Sequence, residues 1–322
     1  MFGYLRFTLA FFVMLSHVGV KIYGMNPGVT AVVIFYILAG FVVSHLYRDI
    51  FSDKKKELLY FYKDRILRIF PLYLYVVAIT LIFLLATSFG NPLFEPLRMV
   101  ENLLIIPLNY YMYIDSTILQ DPKWCLVPPA WSLGTELQAY ILLPLALVFR
   151  QVKFALFIIT YSVYTLANFS FLQPDYFGYR LIAGVFFIFL LGVSIHKNEK
   201  EDRYILISTV IVTILFVIIS IWVGSFGQAF SRETFIGITV GVPLVFAISK
   251  IKNNFPLNAL LGSLSYALFL THFLSIWILK YLKIMPSQTF VYILEVLSIS
   301  LFFSFIGVFF IEEYFRKKRI KK

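Results

Sequence analysis

An arginine and a histidine share one apolar stretch near the start of the chain. Arg6 and His17 lie within residues 5–22, among aliphatic and aromatic neighbours. In a helix, eleven residues bring the two side chains to within about 20° of one face and ~16 Å apart along the axis. Histidine ionises near neutral pH, so His17 suits removal of a proton from a hydroxyl. Ionisable groups are costly in hydrocarbon, which favours a functional role. The structural alternatives are a histidine bonded to another helix and an arginine reaching lipid headgroups.

Two further arginines are spaced for one helix face. Arg65 and Arg68 are three residues apart, so their guanidinium groups project together from a helix. Guanidinium groups bind phosphate through paired N–H donors. The pair therefore predicts either a phosphate-bearing ligand or anionic lipid.

A short polar motif follows Pro128 and Pro129. In Trp131-Ser132-Leu133-Gly134-Thr135-Glu136, Ser132 is expected to cap a helix and Glu136 to lie in its first turn, where the helix dipole favours an acid. The functional alternative is that Glu136 faces an outward cavity and orients or protonates a substrate. Tyr140, four residues later, shares its face.

A second histidine, His272, occurs in an apolar stretch late in the chain. It follows Ser265 by seven residues, which places the two on one helix face, and Tyr266 lies next to Ser265. These residues either form hydrogen bonds between helices or take part in chemistry.

Several other classes of site are excluded. The single cysteine, Cys125, rules out an intrachain disulfide and a cysteine-rich metal site, and we predict no metal. Phosphate-binding loops, a glycine-rich dinucleotide fingerprint and a His-Glu-x-x-His motif do not occur, nor does a nucleophile elbow.

The composition indicates an integral membrane protein. Of 322 residues, 60% are hydrophobic and only 14% charged, and the mean hydropathy is +0.85. Soluble domains carry about 25% charged residues. The net charge of +11 resides in short Lys and Arg clusters between apolar runs. This is the positive-inside pattern of membrane proteins, so we predict no nucleic-acid partner.

We predict an all-α transmembrane bundle of about ten spans with both termini cytoplasmic. Basic clusters, among them Lys54–Lys56 and the C-terminal tail, mark the inner side. Pro71 is expected to end or kink an interfacial helix over residues 57–70. The Pro-rich segment 90–129 is expected outside, with an amphipathic patch at 100–108 and the acceptor contacts. The predicted spans are 5–22, 29–46, 72–89, 131–149, 154–171, 179–195, 204–223, 234–248, 258–279 and 290–311.

Five stretches in order resemble acyltransferase family 3, whose members O-acylate bacterial surface carbohydrates. Arg6 and His17 match its Arg-x10-His pattern, and residues 34–41 look like its second-span motif, with Ala39 in place of the usual serine. The other stretches are Arg65-Ile66-Leu67-Arg68-Ile69-Phe70-Pro71-Leu72-Tyr73, then Trp131-Ser132-Leu133-Gly134-Thr135-Glu136 with Tyr140, and Leu264-Ser265-Tyr266-Ala267-Leu268-Phe269-Leu270-Thr271-His272.

The resemblance implies an O-acetyltransferase of the bacterial inner membrane with cytoplasmic acetyl-CoA as the donor and no permanently bound cofactor. The acceptor would be a carbohydrate hydroxyl of O-antigen, capsule or exopolysaccharide, lipid-linked or free. We expect residues 1–322 to form one membrane domain without a fused extracytoplasmic domain.

The resemblance also implies a role for each candidate residue. Arg6, Arg65 and Arg68 bind the donor, and His17 and Glu136 are catalytic. His17 acts either as a base for direct transfer or as an acyl carrier. The acceptor-binding or supporting residues are Trp131, Ser132, Tyr140, Ser265, Tyr266 and His272.

The alternative from another class is a transporter or flippase for a lipid-linked or anionic substrate. It would use the same intramembrane Arg and His residues as a substrate path. Many transporters contain repeated halves, and the sequence shows no such repeat.

Overall fold

The computed structural model describes residues 1–47, 57–224, 226, 230–251 and 255–319, which fold almost entirely into helices. The α-helices are α1 (Phe2–His17), α2 (Pro27–His45), α3 (Glu57–Thr87), α4 (Pro96–Leu104), α5 (Trp131–Val148), α6 (Arg150–Asn168), α7 (Ile182–Lys197), α8 (Lys200–Val223), α9 (Ser231–Ser249), α10 (Asn258–Tyr281), α11 (Phe290–Ile306) and α12 (Glu313–Lys318). Short 3-10 turns lie at Ile106–Tyr110 and Pro128–Ala130, π-helical turns at Tyr176–Arg180 and Gly307–Glu312, and a hairpin pairs β1 (Leu119–Gln120) with β2 (Lys123–Trp124).

Within the described residues, eight helices are long and apolar enough to cross a membrane, as expected of an integral membrane protein. They correspond to eight of the ten predicted spans. The other two positions hold α1, which has 16 residues, and α6, which is less apolar. The basic cluster Lys54–Lys56 lies outside the described residues. The orientation of the termini therefore stays a prediction.

The first predicted span is wrong at its C-terminal end. Helix α1 stops at His17 instead of continuing to residue 22. Gly19 has φ +90° and Tyr23 has φ +49°, so the backbone turns left-handed where a helix would continue. His17 is consequently the last helical residue, not one in the middle of a span.

Of the two outcomes predicted at Pro71, an end or a kink, the end of the helix is wrong. Helix α3 runs unbroken from Glu57 to Thr87 with Pro71 inside it, so the interfacial helix and the third span are one element. Proline removes one backbone donor from a helix, and neighbouring side chains can bond the carbonyls around it. The Tyr266 hydroxyl donates to the Ile69 carbonyl oxygen at 3.0 Å, two residues before Pro71.

The chain divides into two compact units. The first comprises Met1, Lys21–Phe61 and Thr135–Asn254, and α2 and α7 pack together at its centre. Two glycines permit this close approach. A Cβ on Gly40 would lie 1.8 Å from the Phe189 carbonyl oxygen, and one on Gly192 would lie 1.9 Å from that of Ile37.

The second unit comprises Phe2–Val20, Tyr62–Gly134 and Phe255–Lys322. Here α1 packs along α10 and α10 packs on α11. The Gly3 amide donates to the Asn258 side chain at 2.8 Å, and His17 meets His272 fourteen residues further along both helices. Helices α1 and α10 therefore run parallel.

The segment predicted outside, residues 90–129, folds around one buried amide. The Asn102 side chain donates to the Arg98 and Ser116 carbonyl oxygens and accepts from the Leu126 amide, all at 2.8 Å. The leucines of α4, such as Leu97 and Leu104, are exposed instead. The amphipathic character was predicted correctly, but its polar side faces inward.

Replacing Asn102 by Leu is expected to lower the free energy of unfolding by about 2–4 kcal/mol, because the Leu126 amide and the Ser116 carbonyl lose a buried partner. Thermal unfolding of the purified protein in detergent measures the effect. Gln120→Leu is the matched control, since its amide donates to the Ile118 carbonyl, which also accepts from the Leu93 amide. Equal stability of the two variants would contradict the prediction.

Candidate active site

Two histidines from α1 and α10 form the centre of the candidate site. The Nδ1 atom of His17 lies 2.8 Å from Nε2 of His272, and the rings are nearly parallel with centroids 5.0 Å apart. His17 is exposed, whereas His272 is fully buried. The sequence singled out both residues, but gave no indication that they touch.

The hydrogen bonds fix which ring nitrogen carries a proton. Nδ1 of His272 lies 3.2 Å from the Leu268 carbonyl oxygen, which can only accept. In a neutral ring this leaves Nε2 of His272 as an acceptor, so Nδ1 of His17 donates to it. The basic nitrogen of His17 is then Nε2, on the opposite side of the ring from His272.

Aromatic side chains surround the pair. The Phe273 ring lies 4.7 Å from that of His17 and 5.2 Å from that of His272, and Trp124 lies 5.3 Å from Phe273. Phe269 contacts His272 at 6.3 Å. An apolar surrounding strengthens a hydrogen bond between the rings.

Arg65 belongs to an ionic cluster of α3 and the C-terminal segment. Its guanidinium group pairs with the adjacent Asp64, and both side chains are buried. Arg319 donates to the same carboxylate from Nε at 2.8 Å. One carboxylate thus lies between two guanidinium groups.

Arg68 belongs to a second cluster on α3, α10 and the π-helical turn. Its guanidinium group pairs with Glu312, which also accepts from Ser263 at 3.4 Å. The same guanidinium lies over the Tyr266 ring, 5.5 Å from its centroid. Stacking, ion pairing and the Tyr266 hydroxyl bond to α3 together fix the position of Arg68.

Helix α10 connects the Arg68 cluster with the histidine pair. Ser263 touches Glu312, and His272 follows nine residues later, which is ~14 Å along a helix. Arg6 lies three residues after Gly3 on the parallel α1, and is therefore near the level of Ser263. Arg6 is half-buried. Cationic groups thus lie near the first turns of α10, and the base lies beside its middle, at the level of His272.

The motif after Pro129 is arranged differently from the prediction. The Pro128–Ala130 turn leads directly into helix α5, which begins at Trp131. Ser132 was expected to cap this helix, but its hydroxyl donates to the Pro129 carbonyl at 3.1 Å. Glu136 is the sixth residue of α5, so the dipole of the first turn does not explain it. Its carboxylate accepts from Tyr140.

Glu136 and Tyr140 belong to the first unit, whereas Trp131, Ser132 and the histidine pair belong to the second. Trp131 is half-buried and Ser132 is buried. In the first unit, Thr135 donates to the Arg180 carbonyl at 2.8 Å.

Ser265 and Tyr266 make different contacts from those of His272. The Ser265 hydroxyl donates to the Gly262 carbonyl of its own helix at 2.8 Å, and Tyr266 contacts Arg68. In the described part of the chain, no group of three or more His, Cys, Asp or Glu residues is placed to hold a metal.

Three charged residues of these clusters were not among the predicted site residues. Asp64, Glu312 and Arg319 pair with or surround the predicted arginines. Sequence neighbours could have pointed to two of them. Glu312 ends an apolar run just before the basic tail, and Asp64 is adjacent to Arg65.

Comparison with known proteins supports the predicted family. The model of the family described as "Acyltransferase domain", acyltransferase family 3, matches residues 2–311. O-acetyltransferase OatA of Staphylococcus aureus (strain NCTC 8325 / PS 47) is 26% identical over 343 aligned positions, covering 94% of this chain and 56% of OatA. The chain thus spans little more than half the length of OatA.

Two further relatives are uncharacterised proteins. One from Aquifex aeolicus is 43% identical over 186 residues, covering 54% of this chain and 82% of that protein. One from Haemophilus influenzae is 30% identical over 137 residues, covering 39% of this chain and 54% of that protein. No solved structure matches. Because the family match extends over nearly the whole sequence, the chain belongs to acyltransferase family 3 and the predicted resemblance is confirmed.

Proposed function

We propose that this chain is an O-acetyltransferase of the bacterial inner membrane. It takes the acetyl group from acetyl-CoA on the cytoplasmic side and transfers it to a hydroxyl of a surface carbohydrate, such as O-antigen, capsule or exopolysaccharide. Family membership and the similarity to OatA support acyl transfer over transport. The observation that carries the proposal is the spacing along α10, with guanidinium groups near its first turns and a histidine base beside its middle.

The donor matches this spacing in size and charge. CoA has a phosphate-rich head and a long flexible arm that ends in the thioester. Arg65, Arg68 and Arg6 bind the head, and the arm extends along α10 toward His17. The ~14 Å from Ser263 to His272 is of the order of the arm's length.

The chemistry follows from the tautomer of His17. The acceptor hydroxyl gives its proton to Nε2 of His17 as its oxygen attacks the thioester carbonyl. The tetrahedral intermediate then collapses, the carbon–sulfur bond breaks, and the sulfur leaves with the proton that His17 returns. The imidazolium ring formed in between keeps its Nδ1–H bond to His272. Glu136 stays a predicted catalytic residue through the family motif that it belongs to. A covalent acyl-histidine is the alternative sequence of steps.

Radiolabelled acetyl-CoA tests the proposal in inverted membrane vesicles from cells that express the protein. We expect label in the carbohydrate fraction that mild base releases, as it does an ester. Vesicles with a His17→Gln variant at the same protein level are the control. Equal labelling in both preparations, or none with either, would contradict the proposed reaction.

A further inference from the structure

The two carboxylate oxygens of Glu312 have different surroundings. Oε1 of Glu312 pairs with Arg68 and accepts from Ser263. Oε2 is inaccessible and has no hydrogen-bond partner among the described residues, and Glu312 as a whole is 7% exposed. A carboxylate oxygen is a strong acceptor, and leaving one unpaired in a buried position is destabilising.

The backbone around Glu312 is unusual as well. Residues Gly307–Glu312 form a π-helical turn between α11 and α12. Such turns are rare and occur frequently at functional sites. Gly307 packs closely on α3, because a Cβ at this position would lie 2.6 Å from Leu72 and 2.8 Å from Tyr75. The turn thus fixes Glu312 opposite Arg68.

The position of Glu312 determines which part of a bound ligand can donate a hydrogen bond to Oε2. Arg68 is one helical turn beyond Arg65 on α3, and Ser263 precedes the histidine pair by ~14 Å on α10. Glu312 therefore lies between the Arg65 cluster and the base. A ligand with phosphates at Arg65 and Arg319 and a thioester at His17 would pass Glu312 with its arm, and the arm of CoA contains amide N–H groups.

We propose that Oε2 of Glu312 accepts a hydrogen bond from an amide N–H of the donor's arm. The inference rests on the proposed function and deepens it, since Glu312 makes the site specific for an acyl thioester on an amide-bearing carrier. Arg68 provides the cation for phosphate, and the adjacent carboxylate disfavours ligands that have phosphate alone.

Binding of three probes to the purified full chain in nanodiscs tests this role. The probes are CoA, its adenosine bisphosphate portion, which lacks the arm, and inorganic pyrophosphate. Glu312→Gln removes the charge and one acceptor, whereas Glu312→Asp retains the charge beside Arg68 and retracts both oxygens by one carbon. Glu313→Gln is the matched control, since the neighbouring carboxylate pairs with Arg316. Thermal unfolding checks that each variant is folded.

We expect both Glu312 variants to bind CoA about 10-fold or more weakly than the wild type, as expected for a lost hydrogen bond to a charged group. Neither of the other two probes should bind more weakly, and Glu313→Gln should resemble the wild type. If Glu312→Gln tightened all three probes equally, Glu312 would be only a counterion of Arg68, and the inference would be overturned.

Two other results would also overturn it. If the Glu312 variants lost as much affinity for the adenosine bisphosphate as for CoA, the N–H donor would belong to the adenine ring and not to the arm. Unchanged CoA binding in both Glu312 variants would remove Glu312 from the site while leaving the donor assignment intact. A folded wild type that binds no CoA would overturn the donor assignment itself, which separates that failure from the failure of the inference.

Discussion

Replacing His17 by Gln is expected to lower acetyl transfer by about 10²–10⁴-fold, the range typical for loss of a general base. Binding of acetyl-CoA should be nearly unchanged, because the Arg68 cluster touches α10 at Ser263, ~14 Å along the helix from His272. Glutamine fits the space and bonds to His272, but does not take up a proton near neutral pH. The measurements are labelled acetyl transfer in vesicles and acetyl-CoA binding to the purified protein.

His272 provides the test of how His17 is oriented. His272→Gln retains an acceptor for Nδ1–H of His17, whereas His272→Leu removes it. Transfer should therefore decrease from the wild type to the Gln variant and further to the Leu variant. Because the chain has only four histidines, ring-nitrogen NMR can report the tautomer of His17 directly. Normal transfer by His17→Gln would refute the proposed mechanism. A neutral His17 ring that carries its proton on Nε2 in the wild type would refute the orienting role of His272.

The helices were predictable because apolar length is a local property of sequence. Ten apolar runs predicted helices at ten positions, and eight of these helices are long and apolar enough to span a membrane. Helix ends were less predictable, since they depend on single residues and on tertiary contacts. Helix α1 ends two residues before Gly19, whose backbone is left-handed, while α3 continues through Pro71.

The candidate site was predictable in its residue types but not in its pairings. His17 and His272 were both singled out, yet their contact depends on α1 and α10 being parallel neighbours, which no local pattern determines. Helical spacing put Ser265 and His272 on one face, but the Ser265 hydroxyl bonds within its own helix. The ion pair between Arg68 and Glu312 was not predicted either, because the two residues are 244 positions apart in the sequence.

Replacing Arg68 by Lys is expected to weaken binding of both CoA and pyrophosphate by about 10–100-fold, since lysine keeps the charge but loses the paired N–H donors and the stacking on Tyr266. The loss of pyrophosphate binding distinguishes this variant from the Glu312 variants, which should weaken the binding of CoA alone. Calorimetry on the nanodisc-embedded protein measures both affinities.

The choice of lysine over alanine matters because of Glu312. Arg68→Ala would leave a buried carboxylate without its cation, a change that typically costs about 3–5 kcal/mol of stability, so reduced binding could not be separated from unfolding. Arg98→Lys is the matched control, since the Arg98 side chain is 19% exposed like that of Arg68, and it pairs with Glu95 and Asp115 in the 90–129 segment. If Arg68→Lys bound both ligands as tightly as Arg98→Lys, the donor's phosphates would not be held by Arg68, and its pairing with Glu312 would be purely structural.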